Sequence, residues 1–283
     1  MKFVFVTPSY RGDFDRCRLL CESTTRFLPE EVEHLLIVSR RDMKMFKALE
    51  SEVVRLIEAE ALLPWWILRA PVLSGWRLNL TGIPVRGWIH QQLLKMSVVD
   101  ATDAEVINFI DSDVTLIRPV DPGFFVCDGL VRLQHTSYEN PVHKRWLEVA
   151  RKLLNIPRCQ VLSGNYIGNF ITWKRDNIIK MRKYIEKNSG LSWQMVLAGK
   201  KSFSEYMIYG AYVQHCLGMN EAGCFLDDRP NLFLCWGYDF KSKVDRTRFF
   251  EEVPSDSFGI MIDSKYGISV DEYREQVQTL WRR

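Results

Sequence analysis

The chain has 283 residues, the size of one large domain, and its 47% apolar content is ample for a sizeable core. A net charge of only +3 gives no electrostatic case for a nucleic-acid partner. Seven scattered cysteines, an odd number with no CxxC, read as reduced thiols, and no apolar run approaches the roughly 18 residues of a membrane-spanning helix; both point to a cytoplasmic protein.

The chain opens directly on an apolar run, Phe3–Val6, which predicts a buried strand with no secretory leader before it. Thr7-Pro8-Ser9-Tyr10-Arg11-Gly12 reads as a loop. Asp13 to Phe27 has helical periodicity, with Phe14, Cys17, Leu20 and Cys21 on one face. Leu35–Val38 is a second strand, followed by a helix running to about Leu56. Pro64 to Gly87, rich in Trp, Arg, Gly and Pro, reads as an irregular loop, and Trp88 to Val99 as a helix.

The next element carries the most information. Val106-Ile107-Asn108-Phe109-Ile110 predicts a buried strand, and Asp111-Ser112-Asp113 follows at its carboxyl end, where open α/β sheets bind ligands. Alternate side chains of an extended chain share a face, so both carboxylates can point at one ion. Hard cations such as Mg²⁺ or Mn²⁺ take oxygen ligands and often bind through one or two carboxylates plus substrate phosphates. The plainer alternative is a strand end facing solvent.

Downstream, Val126–Leu133 reads as a strand and Glu139–Leu154 as an amphipathic helix with a basic face. Tyr166–Trp173 is a strand, Arg175–Lys187 a helix, and Ser204–Cys216 a helix with Ser204 as N-cap. Leu232–Cys235 and Gly259–Ile262 are short strands, and Val270–Trp281 is a closing helix. The β-loop-α repetition predicts an α/β fold with a mostly parallel, doubly wound sheet flanked by helices. No linker or repeat divides it, so one domain is expected.

The run Phe109-Ile110-Asp111-Ser112-Asp113-Val114 resembles the DXD motif of GT-A (Rossmann-like) glycosyltransferases. Four more segments fall in the order seen there: Thr7 to Arg11, Gly87 to Lys95, Tyr166 to Trp173 and Ser204 to Gly210. The combination is similar to a group of bacterial glycosyltransferases and covers roughly residues 1 to 265. It implies residues 1–115 as a nucleotide-binding half and 116–283 as an acceptor-binding half. It also implies a nucleotide-sugar donor, a glycan or lipid-linked glycan acceptor, and Mn²⁺ or Mg²⁺ at Asp111 and Asp113. Asp113 is then the better direct metal ligand, with Asp111 nearer the ribose or a metal-bound water. Thr7, Pro8, Ser9, Tyr10, Arg11, Gln91, Lys95 and Ser112 are the further donor-site candidates, and Lys265 could close over the pyrophosphate. Gln91 and Lys95 lie four apart on one helix face.

An inverting transfer needs a base for the acceptor hydroxyl. Glu205 is the candidate, in the first turn of a helix whose dipole favours its ionised form; Asp227-Asp228 is the competing pair. Several GT-A enzymes add a third, C-terminal metal ligand, often His; no His follows His215, so by this resemblance such a ligand is either absent or another residue, such as Asp239 or Asp263. The basic stretch Lys144 to Arg158 suits a solvated face or peripheral contact with anionic lipid at the inner face of a membrane. Two rival readings stay open: a haloacid-dehalogenase-type phosphatase, with its own strand ending in Asp-x-Asp, and a non-catalytic carbohydrate-binding module, favoured by nine Trp.

Overall fold

The computed structural model describes residues 1–69, 76–78, 84–138 and 140–282. Five strands form its central sheet: β1 (Phe3–Pro8), β2 (Glu33–Val38), β3 (Val54–Glu58), β4 (Val106–Ile110) and, later in the chain, Phe170–Lys174. Counted from the edge, the order is Phe170–Lys174, β4, β1, β2, β3. β1 runs parallel to both β2 and β4, with Val6 opposite Phe109, and Phe170–Lys174 runs antiparallel to β4. All five residues of β4 are buried, which explains its uninterrupted apolar sequence: strands covered on both faces do not alternate. The chain winds outward from β1 to β3, then returns to place β4 on the other side of β1. The crevice beyond the ends of β1 and β4 is therefore the topological switch point, where open α/β sheets bind ligands.

Helix α1 (Phe14–Phe27) buries Cys17, Leu20 and Cys21 on the predicted face. Helix α2 (Gly87–Ser97) leads back toward β4 and buries Ile89, Leu93 and Lys95. β5 (Val114–Leu116) follows the Asp-Ser-Asp run. Helix α3 (Pro141–Leu153) is capped by Asn140, whose side chain accepts from the amides of Val142 and His143. Helix α4 (Glu205–Tyr212) starts as expected, with the Ser204 side chain accepting from the Met207 amide. Gly210 lies within α4 because a Cβ there would come 2.1 Å from the Tyr166 ring. β6 (Gly259–Met261) pairs antiparallel with β5, and the Ile262 amide donates to the Asp113 carbonyl. That pairing carries the late chain back to the end of β4.

Several expectations need correction. The helix after Asp42 is a short turn, Met43–Phe46, and β3 occupies residues expected to be helical. Thr7 and Pro8 belong to β1 and not to the loop. The strand expected over Val126–Leu133 is a hairpin, Val126–Cys127 and Leu130–Gln134. Asp128 (φ 51°) and Gly129 (φ 77°) make its turn, the Asp-Gly pair that two-residue hairpins favour. Short strands Leu68–Arg69, Trp76–Leu78 and Pro84–Arg86 cross the expected irregular loop; its other residues from 70 to 83 lie outside the described residues, as does Glu139 before α3. No described helix is long and apolar enough to cross a membrane.

Candidate active site

Two adjoining cavities open at the switch point. The larger, about 430 Å³, is lined by Pro8, Ser9, Tyr10 and Asp13 after β1, by Ile37, Ser39, Arg41 and Asp42 after β2, and by Trp88, His90, Gln91 and Leu94 of α2. The smaller, about 290 Å³, is lined by Lys95, Asp111, Ser112, Asp113, Asn169, Ser204, Glu205, Tyr206 and Trp146. Asp13, Trp88 and Gln91 line both. A ligand can therefore span from the apolar hollow over β1 and β2 to the carboxylates after β4.

One side of the smaller cavity has a buried cation. The ammonium of Lys95 donates to Asp111 at 3.2 Å and to the Tyr206 hydroxyl at 2.7 Å, and lies 3.6 Å from Glu205. Lys95 and Glu205 are both buried. Burial alone would lower the Lys95 pKa, but Asp111, Tyr206 and Glu205 outweigh it and hold the ammonium well above its ordinary value. Burial raises the pKa of Glu205, against the pull of Lys95. The Glu205 amide donates to Gln92 Oε1 at 2.8 Å, which fixes the helix start against α2. Asn169 donates to the other Asp111 oxygen at 3.5 Å.

The other side has acids. Asp113 is pushed up to about 7 by burial, and Asp111, Asp263 and Asp13 all push the same way. Its Oδ1 is buried without a hydrogen-bond partner. Asp13 is also raised, chiefly by burial, and accepts a 3.3 Å bond from the Ser112 hydroxyl. An orphaned carboxylate oxygen among like charges is chemically suited to a hard divalent cation. Among the described residues no three His, Cys, Asp or Glu side chains form a metal site unaided.

The remaining candidates divide clearly. Pro8, Ser9 and Tyr10 line the larger cavity and Gln91 lines both. Thr7 does not: it is fully buried, its hydroxyl donating to the Ile110 carbonyl at 2.7 Å and lying 2.9 Å from His34 Nε2. It ties β1 to its neighbours because the strand continues past Val6. Arg11 donates from Nε to Asp42 at 2.9 Å, so it positions a wall residue. Lys265 is 87% exposed and lies 3.5 Å from Asp263, outside both cavities. Asp227 is an unsuitable base: burial would raise it, but Arg229 and Arg132 hold it down at about 2. Asp13 and Asp42 lie outside the segments that the sequence singles out, and their local signal is proximity to strand or helix ends; Gln92, Asn169 and Tyr206 lie within three of those segments but are not distinguished there as site residues.

The mostly parallel sheet flanked by helices is the GT-A glycosyltransferase fold. Mouse xyloside xylosyltransferase 1 is similar in structure at a TM-score of 0.50 and 11% identity, over 95% of this chain and 100% of that one. An active-site mutant of LgtC is similar at 0.51 and 10%, over 98% and 95%. The chain belongs to the family of unknown function DUF6492, whose model matches residues 5–282. No curated protein matches it in sequence.

Proposed function

We propose that the protein is a metal-dependent glycosyltransferase that moves a sugar from a nucleotide-sugar donor to a glycan acceptor. The observation that carries this reading is the junction of the two cavities at the Asp111–Asp113 strand end. The larger hollow suits a nucleoside: it is mostly apolar, with a few polar groups, as small-molecule sites are. The diphosphate then lies toward Asp13 and Asp113. Asp113, with Asp263 beside it and Asp111 near, would hold Mn²⁺ or Mg²⁺, which supplies charge neutralisation to the departing diphosphate. Lys95 orients Asp111 through its 3.2 Å contact. The Glu205 carboxylate takes the proton of the acceptor hydroxyl; burial tunes its pKa upward, toward working pH, as general bases require.

The phosphatase reading loses its footing in this fold. Its first motif should open the sheet, but β4 follows three other strands of the central sheet in sequence, and Asp227 belongs to a separate three-stranded sheet.

The test is a screen of nucleotide sugars with Mn²⁺ for hydrolysis and transfer, with Glu205→Gln alongside. With saturating donor and acceptor, Glu205→Gln should keep nucleotide binding while transfer falls by roughly 10²–10⁴-fold. Near-normal turnover in Glu205→Gln rejects it as the base. A product with retained anomeric configuration rejects single displacement.

A further inference from the structure

We propose that Tyr138, His143, Trp146 and Trp88 form an aromatic track that binds a linear oligosaccharide acceptor, feeding its end into the cleft beside Glu205. The proposal rests on the glycosyltransferase reading and names its acceptor class: a preformed saccharide chain of several units, rather than a single sugar.

The four rings follow one another from the loop before α3 to the start of α2. Centroids are 6.0 Å apart from Tyr138 to His143, 5.8 Å from His143 to Trp146, and 5.2 Å from Trp146 to Trp88. The His143 and Trp146 planes lie within 22° of parallel and the two indoles within 34°, while Tyr138 stands edge-on to His143 at 83° and turns the row at its outer end. Core packing does not account for the ends of the row, since Tyr138 is 66% exposed and Trp88 41%. Trp146 is held in place: its Nε1 donates to the Ser202 hydroxyl at 2.8 Å. The row also has a destination, because Trp146 and Trp88 line the same cavity as Glu205, Lys95 and Asp111.

The chemistry of the surface selects the occupant. A pyranose has hydroxyls around its rim and a face of C–H groups, which carry partial positive charge. The negative face of an aromatic ring attracts such C–H groups, and a flat ring gives apolar contact while the hydroxyls stay in water. Large rigid rings also lose little conformational entropy on binding. A row of them, with a step comparable to one sugar unit, suits a chain of sugars. With the terminal sugar at Trp88 and Trp146, its free hydroxyl enters the cleft of Glu205, and the rest of the chain passes over His143 to Tyr138.

The test measures binding without requiring turnover. Maltotriose, cellotriose, chitotriose and α-mannotriose, each with its monosaccharide, are titrated by calorimetry against wild type, Trp146→Ala, Trp146→Phe and Tyr138→Ala. Trp88 is left intact because it also lines the larger cavity. At least one trisaccharide should bind ten-fold or more tightly than its monosaccharide. Trp146→Ala should weaken that trisaccharide at least ten-fold, Tyr138→Ala several-fold, and Trp146→Phe, which keeps a ring, less than Trp146→Ala. Thermal shifts with UDP, GDP or CMP plus Mn²⁺ are read on wild type and on Tyr138→Ala, whose ring lines neither cavity, and should not change. A panel in which no trisaccharide surpasses its monosaccharide overturns the track, as does wild-type affinity in Tyr138→Ala and Trp146→Phe together with Trp146→Ala, or in the first two alone should the last not fold. Loss of the nucleotide response in Tyr138→Ala also overturns it. Absence of that response in wild type, with ring-dependent trisaccharide binding intact, would sink the donor reading and leave a glycan-binding surface.

Discussion

The two flanks of Asp111 solve the problem of buried charge in opposite ways. On the α2 and α4 side, Lys95 sits among Asp111, Glu205 and Tyr206, so the cation is built into the fold. On the β5 and β6 side, Asp113 faces Asp111, Asp263 and Asp13, and its Oδ1 has no hydrogen-bond partner. A fold that supplies positive charge to one acid and withholds it from its neighbour two residues away would, on the proposed function, separate structure from ligand binding. The first flank should matter to stability in every condition; the second should matter only when cation and diphosphate are present.

The sharpest way to break this contrast is Lys95→Met. Removing one partner of a buried ion pair leaves uncompensated charge, which costs about 3–5 kcal/mol. Urea unfolding at pH 7 should show a loss of that size. A loss below about 1 kcal/mol would mean that Glu205 and Asp111 do not depend on Lys95.

Asp113→Asn is the counterpart. It removes like-charge repulsion, so stability without ligand should be unchanged or slightly raised. The stabilisation from Mn²⁺ with UDP or GDP should vanish, a difference of about 2.7 kcal/mol at ligand one hundred-fold above Kd. A variant that is destabilised without ligand, or that keeps the full metal–nucleotide shift in calorimetry, contradicts the assignment of this flank.

How much of this was legible in the sequence follows from range. The acids after β4 are local to one apolar run, so strand and carboxylates could be read together, and Ser204 announced the start of α4 in the same way. Lys95 and Gln91 were readable as one helix face. That Lys95 meets Glu205, 110 positions later, depends on α2 packing on α4, which no local pattern encodes. Asp263 reaches Asp113 only because β6 pairs with β5. β3 was missed although Val54, Leu56 and Ile57 are strand-like, because the preceding turn began like a helix. The Asp128-Gly129 turn is local and carries the Asp-Gly pair of a two-residue hairpin, but the apolar residues on either side read as one continuous strand. Thr7 was misplaced for a simple reason: Thr-Pro looks like a turn, but its hydroxyl is needed between two strands.

His34 sharpens the comparison as a third solution, burial of a neutral group. It is fully buried between the hydroxyls of Thr7 and Thr24, and burial lowers its pKa to about 3. The unfolded chain takes up a proton near pH 6.5 while the folded chain does not, so stability is lost as pH falls from about 6.5 toward 3. By pH 5 this amounts to about 2 kcal/mol. His34→Gln, which carries no titratable ring, should flatten the difference in unfolding free energy between pH 7 and pH 5 by that amount. An unchanged difference would mean that His34 is protonated in the folded chain.

The smallest expected effect tests how the compensated flank is held. Ser204 caps α4 through Met207, and such caps are worth about 1 kcal/mol. Glu205 has a second tether that does not involve the cap, since its amide is bound by Gln92 Oε1 on α2. Ser204→Ala should therefore lower stability by about 1 kcal/mol while the transfer rate at saturating substrates stays within about twofold. Gln92→Ala should do the reverse in proportion: it frees the residue that carries the proposed base and leaves the cap intact, so its loss should fall more on rate than on stability. If Ser204→Ala costs tenfold in rate and Gln92→Ala costs nothing, the helix start and not the α2 contact positions Glu205, and the two helices need not act as one rigid wall.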